Sequence, residues 1–241
     1  MKVQGTRRKN LKQPDLRFVS YPLYLVPCMR YFVKTPWWLK KIYPSYIWNV
    51  QTKEKDVYLT FDDGPHDKAT PFVLDELKKY KAKATFFCIG KNVAALPELY
   101  KRIIDEGHAT GNHTYNHLNG WKTADITYLQ DVADAAKLIH SSLFRPPYGR
   151  IKSFQAKNMA AAMKDESARI IMWDVLSGDF DDGITNEQCL QNVVLNVRSG
   201  SIVVFHDSQK AFNHLTYSLP PTLKFLSESG YNIKCLLNSE R

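Results

Sequence analysis

VYLTFDDGP, residues 57–65, gives the clearest indication of how this chain folds. Its first five residues favour a β-strand, and the Asp-Asp-Gly-Pro that follows is a turn signal that ends the strand. The same pattern, an apolar run followed by polar residues, recurs along the chain and predicts seven strands. The other six fall at residues 84–89, 108–113, 143–145, 168–175, 201–206 and 231–235, and the segment at residues 108–113 leads into a polar loop.

Six helices are predicted between these strands, at residues 70–77, 97–106, 126–138, 154–163, 186–197 and 221–227. Thr70 is the expected N-cap of the first helix, with Pro71 in its first turn. Alternating strands and helices indicate a parallel α/β architecture, although the pattern alone does not separate an open doubly wound sheet from a barrel. The polar clusters that follow the carboxyl ends of the strands favour a barrel, because barrels place their active sites there.

Composition excludes several function classes. The 241 residues are 44% hydrophobic, which suits a packed core, and their formal net charge is +9. Residues 1–55 alone carry +10, so the rest of the chain carries −1, and nucleic-acid binding by the folded body is not expected. No apolar run approaches the ~20 residues that span a bilayer. Four widely spaced cysteines without a C-x-x-C pair argue against a disulfide scaffold or a cysteine zinc site.

Residues 1–54 are interpreted as a basic, aromatic arm, and residues 55–241 as the catalytic domain. Within the arm, residues 1–28 resemble a signal peptide, yet Pro22 and Pro27 interrupt the apolar run and no cleavage site follows it. We therefore expect no encoded export, and Met29 is an alternative start of the chain.

Residues 34–41 of the arm combine aromatic and basic side chains. This composition suits either peripheral contact of residues 1–55 with a membrane surface or an arm packed across the bottom of the domain. The expected location is cytoplasmic or membrane-peripheral.

Two polar clusters contain the residue types of a metal site. Asp62 and Asp63 end the first strand, and successive side chains point in different directions, so one can bind a metal while the other takes a proton from water. His113 and His117 lie in a stretch rich in Asn and Gly, which predicts a loop. Two imidazoles and one carboxylate form a facial site with open positions for water and substrate. An Asp-Gly turn and two solvated loop histidines are the alternatives.

Three further clusters follow later strands. Arg145 precedes the stiff turn of residues 146–149, which is suited to aiming a backbone N–H at a developing oxyanion. Asp179 lies beside Phe180, where an acid can orient another catalytic group. His206 ends a strand and, next to a metal, would protonate a leaving group. The alternatives are a proline-rich connection, an acidic or calcium-binding loop, and a buried core histidine.

Together, the five clusters resemble the motifs of the NodB-homology polysaccharide deacetylases, the fourth carbohydrate esterase family. The resemblance covers roughly residues 55–236 and implies a distorted (β/α)7 barrel. It also implies that Asp63, His113 and His117 bind one divalent metal ion, usually Zn²⁺.

The resemblance further implies the roles of the other residues. Asp62 is expected to be the general base, positioned by Arg145, and His206 the general acid, tuned by Asp179. The backbone N–H of Tyr148 is expected to help bind the oxyanion. The residues expected to line the substrate site are Pro146, Tyr148, Phe180 and Val204.

The chain departs from the family pattern at three positions. Leu176 replaces an aspartate, Phe180 a tryptophan, and Val204 a leucine, which changes the wall expected to face the acetyl methyl group and removes no metal ligand. The expected function is metal-dependent removal of acetyl groups from an N- or O-acetylated carbohydrate, with an N-acetylglucosamine-type glycan favoured. The alternatives are a non-catalytic carbohydrate-binding relative and a membrane-associated deacylase of a lipid-linked sugar.

Overall fold

The computed structural model describes residues 31–236, and the compact unit begins at Phe32. Its strands are β1 (Asp56–Asp62), β2 (Thr85–Cys88), β3 (Ala109–Asn112), β4 (Leu143–Phe144), β5 (Arg169–Ile170), β6 (Val175–Leu176), β7 (Ile202–His206) and β8 (Asn232–Lys234). Its helices are α1 (Trp37–Ile42), α2 (Ala69–Lys79), α3 (Gly90–Ala95), α4 (Pro97–Asp105), α5 (Asp125–Ala136), α6 (Ser153–Met163), α7 (Asn186–Val194) and α8 (Phe212–Glu228).

Seven of the described strands form one curled parallel sheet in the order β5-β4-β3-β2-β1-β7-β6, and β8 pairs with the first residues of β1. The distorted seven-stranded barrel is therefore confirmed. The register aligns Asp62 at the end of β1 with Phe87 on one side and His206 on the other. Because all strands are parallel, their carboxyl ends and the loops that follow lie along one rim.

β1 shows how the apolar runs build the barrel. Its seven residues are all buried. Val57, Leu59 and Phe61 belong to the outer core, which also contains apolar side chains of α2, α7 and α8. Burying a side chain such as Phe61 contributes about 1.5–3 kcal/mol. Since side chains alternate along a strand, Thr60 and Asp62 face the inside of the barrel.

Two predicted elements were wrong. Residues 168–175 do not form one strand. They contain all of β5 and the first residue of β6, and these two strands lie at opposite edges of the sheet. The helix predicted to begin at Pro221 begins at Phe212 and contains both Pro220 and Pro221. Proline is favoured in the first turn of a helix, so the pattern placed the start too late.

The capping role predicted for Thr70 was also wrong. α2 begins at Ala69, so Thr70 already lies within its first turn. Its hydroxyl accepts a hydrogen bond from the His66 backbone N–H at 2.8 Å and donates one to the buried Asp207 carboxylate at 2.5 Å. Thr70 therefore connects the helix to the residue that follows β7 instead of capping the helix.

Residues 32–50 bridge the gap between the two sheet edges. The backbone of Ile47 bonds to Ile170 and Met172 on the β5 side, at 2.9 and 2.7 Å. On the β6 side, the Leu176 N–H donates to the Val33 carbonyl at 2.8 Å. This part of the predicted arm therefore packs on the barrel, while residues 1–30 lie outside the described residues. Within residues 31–236, no helix has the length and apolar character needed to span a membrane.

Candidate active site

The two adjacent carboxylates at the end of β1 point to different partners. Asp62 is the last residue of the strand and faces the barrel interior, where its Oδ1 lies 2.6 Å from Nη1 of Arg145. Asp63 has a left-handed backbone with φ of 81°, which turns its side chain away from that of Asp62. Asn92 holds this turn by donating its side-chain amide to the Asp63 carbonyl at 2.7 Å.

A loop after β3 carries the two histidines, as predicted. Its backbone turns sharply, with positive φ at Thr114 and His117. Asp131, a buried residue of α5, accepts the backbone N–H groups of Tyr115 and Asn116 at 3.0 and 2.9 Å. This support was missed from the sequence, because Asp131 lies inside an amphipathic helix and carries no motif signal.

Asp63, His113 and His117 converge. Their ligand atoms lie within 4.8 Å of one another, and this is the only such group of three among the described residues. Oδ1 of Asp63 lies 3.1 Å from Nε2 of His117 and 3.6 Å from Nε2 of His113. That oxygen is buried and accepts no hydrogen bond of acceptable geometry within the described chain. Two imidazole nitrogens and an orphaned carboxylate oxygen are a donor set that fits a divalent cation such as Zn²⁺.

The protonation states suit ligation. Burial lowers the pKa of His113 to about 4, so its imidazole is neutral at neutral pH. Its Nδ1 lies 2.7 Å from the Arg145 carbonyl, to which it donates, leaving the lone pair of Nε2 directed at Asp63. Burial acts to raise the pKa of Asp63, but the neighbouring imidazoles, His117 foremost, hold that pKa below its usual range. Asp63 is therefore ionised.

Arg145 is fully buried and connects the ends of three strands. Its guanidinium donates to Asp62 and to Thr60 Oγ1 on β1, at 2.6 and 2.7 Å. It also donates to the carbonyls of Ile171 and Met172, which follow β5. The Phe87 ring lies 4.0 Å below its Cζ atom. Asp62 is thereby held in one orientation as a buried carboxylate.

His206, which is partly exposed, pairs with the buried Asp179. Asp179 Oδ1 lies 2.7 Å from Nδ1 of His206, and its Oδ2 accepts the His206 backbone N–H at 2.7 Å. Burial disfavours the charged imidazole, but the Asp179 carboxylate outweighs burial and raises the pKa of His206 to about 9. The imidazole is therefore protonated at neutral pH.

The predicted substrate-lining residues lie around this centre at different depths. Tyr148 has φ of 61°, and its largely exposed ring packs 4.7 Å from the ring of His117. The Phe180 ring meets His206 edge-on at 5.1 Å. Pro146 is buried, two residues before Tyr148, and Val204 is buried on β7, two residues before His206. The chemical roles assigned to these residues stay predictions.

Asp207 is a residue of this region to which sequence reasoning assigned no role. Its N–H donates to the Asp62 carbonyl at 3.0 Å, and its carboxylate faces Gly64, where any side chain would collide with it. Burial raises the pKa of Asp207 to about 8. Its position directly after His206 is the only signal that the sequence offered.

Known proteins are similar to this chain in sequence and in fold. A model of the family described as polysaccharide deacetylase matches residues 49–165. A peptidoglycan-N-acetylglucosamine deacetylase of Bacillus cereus is 36% identical over 192 residues, which cover 76% of this chain and 87% of that protein. A chitooligosaccharide deacetylase of Bradyrhizobium sp. is 34% identical over 161 residues, covering 64% of this chain and 71% of that protein.

The fold comparison agrees. A crystal structure of a peptidoglycan N-acetylglucosamine deacetylase in complex with 4-naphthalen-1-yl-N-oxidanyl-benzamide superposes with a TM-score of 0.74 at 30% sequence identity. The match covers 84% of this chain and 95% of that one. The resemblance inferred from the five polar clusters is therefore confirmed.

Proposed function

The chain belongs to the polysaccharide deacetylase family, and we propose that it hydrolyses the acetamide of an N-acetylglucosamine-type unit within a glycan. One observation supports this most. The group of Asp63, His113 and His117, which suits a divalent cation, directly adjoins Asp62, a carboxylate held by an arginine. The strand register places Asp62 beside His206, an imidazole held by a carboxylate. Amide hydrolysis needs these two proton carriers on either side of the carbonyl carbon.

Asp63, His113 and His117 would hold the divalent cation, for which Zn²⁺ is proposed. When bound, such a cation supplies a Lewis acid that polarises the acetamide carbonyl and lowers the pKa of water. The neutral state of His113 and the ionised state of Asp63 make both available as ligands without loss of a proton.

Asp62 takes the proton of the attacking water. Arg145 occupies Oδ1 of this carboxylate, and no described residue donates to Oδ2, which leaves that oxygen for the proton. The fixed guanidinium prevents Asp62 from turning away, so the base is oriented before substrate arrives. This pre-orientation is why Arg145 is proposed as a positioning residue.

His206 supplies the proton to the leaving nitrogen. Asp179 accepts from Nδ1, so the acidic proton is on Nε2. The carbon–nitrogen bond then breaks with the electron pair and the proton on the amine, and acetate is the second product. The Tyr148 backbone N–H is proposed to stabilise the oxyanion, and Phe180 and Val204 to enclose the acetyl methyl group.

The test is acetate release by the purified full chain loaded with Zn²⁺. The substrates are N-acetylated chitooligosaccharides, peptidoglycan and, for O-linked acetyl groups, acetylated xylan. We expect acetate from the N-acetylated glycans, loss of release with a chelator, and recovery on adding metal. A protein that binds these glycans but releases no acetate from any of them would be a non-catalytic relative.

A second candidate function is deacylation of a lipid-linked sugar at a membrane. It is favoured by α1, where the side chains of Trp37, Trp38 and Ile42 are 69%, 45% and 59% exposed. Lys41 lies over the Trp37 ring. A positive charge next to exposed aromatic rings is typical of segments that contact a membrane interface. Flotation of the full chain with phosphatidylglycerol vesicles, lost in a Trp37→Ala/Trp38→Ala variant, would support a peripheral membrane location. Equal flotation of the variant and the unaltered chain would reject this membrane location.

A further inference from the structure

Two exposed side chains stack on the rim of the candidate active site. Trp121 belongs to the loop after β3, four residues beyond His117. Arg150 belongs to the loop after β4, two residues beyond Tyr148. The Arg150 guanidinium carbon lies 5.2 Å from the centre of the Trp121 ring. The two loops that carry the proposed ligand His117 and the proposed oxyanion donor Tyr148 therefore meet in an indole–guanidinium pair.

Hydrogen bonds and close packing of the two loop backbones fix the position of this pair. The indole Nε1 donates to the Ile151 carbonyl at 3.3 Å, which fixes the plane of the ring. Asn119 accepts the Trp121 backbone N–H at 3.1 Å. Gly120 packs so closely on the Arg150 backbone that an added Cβ would lie 2.4 Å from its carbonyl oxygen. The two loops are thus locked together, while the Trp121 side chain stays 60% exposed.

The charged side chains around the pair are mostly basic. Among residues 31–236, no carboxylate lies within 4.0 Å of the exposed Arg150 guanidinium. Lys122 is exposed beside Trp121. Lys152 lies next to the same loops and pairs with Asp125 at 3.3 Å. This side of the rim is basic, whereas the body of the protein carries no basic excess.

An aromatic face and a free guanidinium recognise different parts of one ligand. The indole offers a flat apolar surface to the face of a sugar ring, and the guanidinium offers paired donors to a carboxylate. None of the proposed catalytic steps uses either side chain.

We propose that Trp121 and Arg150 form a subsite for a carboxylate-bearing sugar unit next to the unit that is deacetylated. The inference rests on the proposed function and deepens it, because it selects an acidic amino-sugar polymer over neutral chitin as the preferred substrate. A glycan strand in which every second sugar carries a lactyl ether carboxylate has this chemistry.

The test compares two tetrasaccharides of equal length, chitotetraose and an alternating strand whose lactyl carboxylates are free. In the Zn²⁺-loaded full chain, Arg150→Ala is expected to lower kcat/KM for the acidic strand about fivefold, because KM rises. The kcat/KM for chitotetraose is expected to stay unchanged. Trp121→Ala is expected to raise KM about fivefold or more on both glycans. Arg198→Ala and Tyr217→Ala, which remove an exposed arginine and an exposed aromatic ring elsewhere, are the matched controls.

Equal effects of Arg150→Ala on both glycans, or no effect on either, would overturn the proposal. If the unaltered protein releases acetate from neither glycan, the proposed function is wrong, but the subsite proposal is still open to test. The subsite is then tested by calorimetric titration with the acidic tetrasaccharide. Weaker binding by Arg150→Ala than by Arg198→Ala supports the subsite, and equal binding rejects it.

Discussion

Asp62 and Asp63 show how one backbone torsion separates two chemical roles. Both carboxylates follow the same buried strand, but the left-handed conformation of Asp63 directs it to the histidines while Asp62 faces Arg145. The sequence predicted that the two side chains would diverge. Their partners depend on loops that are far away along the chain.

Replacing Asp62 with Asn keeps the shape of the side chain and removes its basicity. We expect Asp62→Asn to bind Zn²⁺ with unchanged stoichiometry and to lose about 10²–10⁴ in kcat, the range typical of a positioned base. Metal content by atomic absorption and acetate release are the measurements. Asp67→Asn, which alters an exposed carboxylate in the loop after the same strand, is the control and is expected to keep full activity. Unchanged turnover of Asp62→Asn would refute the assignment.

The Asp179–His206 pair predicts a pH dependence. The protonated imidazole is the active form, so kcat/KM falls as pH rises through the pKa of His206, which Asp179 raises to about 9. Removing this carboxylate in Asp179→Asn lowers the pKa toward the ordinary histidine value of about 6.5. The alkaline limb of the pH profile is therefore expected to move to lower pH. Imidazole titration of His206 by NMR gives the same comparison without turnover, and an unmoved limb would contradict the pairing.

At the scale of elements, Arg145 is the connection between strand ends. It joins β1 to the chain that follows β5, across the barrel interior, and it is completely buried. A buried ion pair adds little net stability, but removing one partner leaves the other charge without compensation. The orientation of Asp62 and the closure of the barrel therefore depend on the same side chain.

Arg145→Met, which keeps side-chain volume, is expected to lower the free energy of unfolding by about 3–5 kcal/mol, because Asp62 is left buried and unpaired. The double variant Asp62→Asn/Arg145→Met is expected to recover part of that loss. Urea denaturation measures both, with Arg169→Met at the exposed edge of β5 as control. A single variant as stable as the unaltered chain would show that Arg145 does not compensate Asp62.

The misread elements have a common cause. Residues 168–175 are mostly apolar, which predicts one strand, yet the chain leaves β5 and enters β6 because residues 32–50 supply hydrogen-bond partners between them. The sequence of residues 168–175 does not show that a distant segment will supply these hydrogen-bond partners. The helix around Pro221 was found with the wrong start, since apolar periodicity shows that a helix exists better than it shows where the helix begins.

For the whole molecule, the segment before β1 completes the barrel. Asp174, at the gap between β5 and β6, is buried and accepts hydrogen bonds from Lys34 and Lys40 at 2.5 and 2.6 Å and from Ser201 at 2.5 Å. Burial acts to raise the pKa of Asp174, but Lys34, Lys40 and Ser201 hold it below its usual range. Residues 32–50 are thereby attached to the domain by charge as well as by backbone pairing.

Asp174→Asn is expected to lower the free energy of unfolding by about 2 kcal/mol at neutral pH, since two charged donors lose their charged acceptor. A lowered native pKa adds stability above the ordinary aspartate range, and this contribution is lost on acidification. The difference between variant and unaltered chain should therefore shrink as pH falls below about 4. Urea denaturation at several pH values checks this, with Asp182→Asn at an exposed site as control. A constant difference would contradict the assigned role.

The local pattern of apolar runs, turns and polar clusters was enough to identify a parallel barrel and the residues at its carboxyl rim. Strand burial and turn chemistry are local properties, and they can be read over a few residues. Tertiary structure decided that Asp63 meets His113 and His117, that residues 32–50 fill the open edge, and that Trp121 meets Arg150. These contacts join segments far apart in the chain, and only the curvature of the sheet sets which loop ends come within bonding distance.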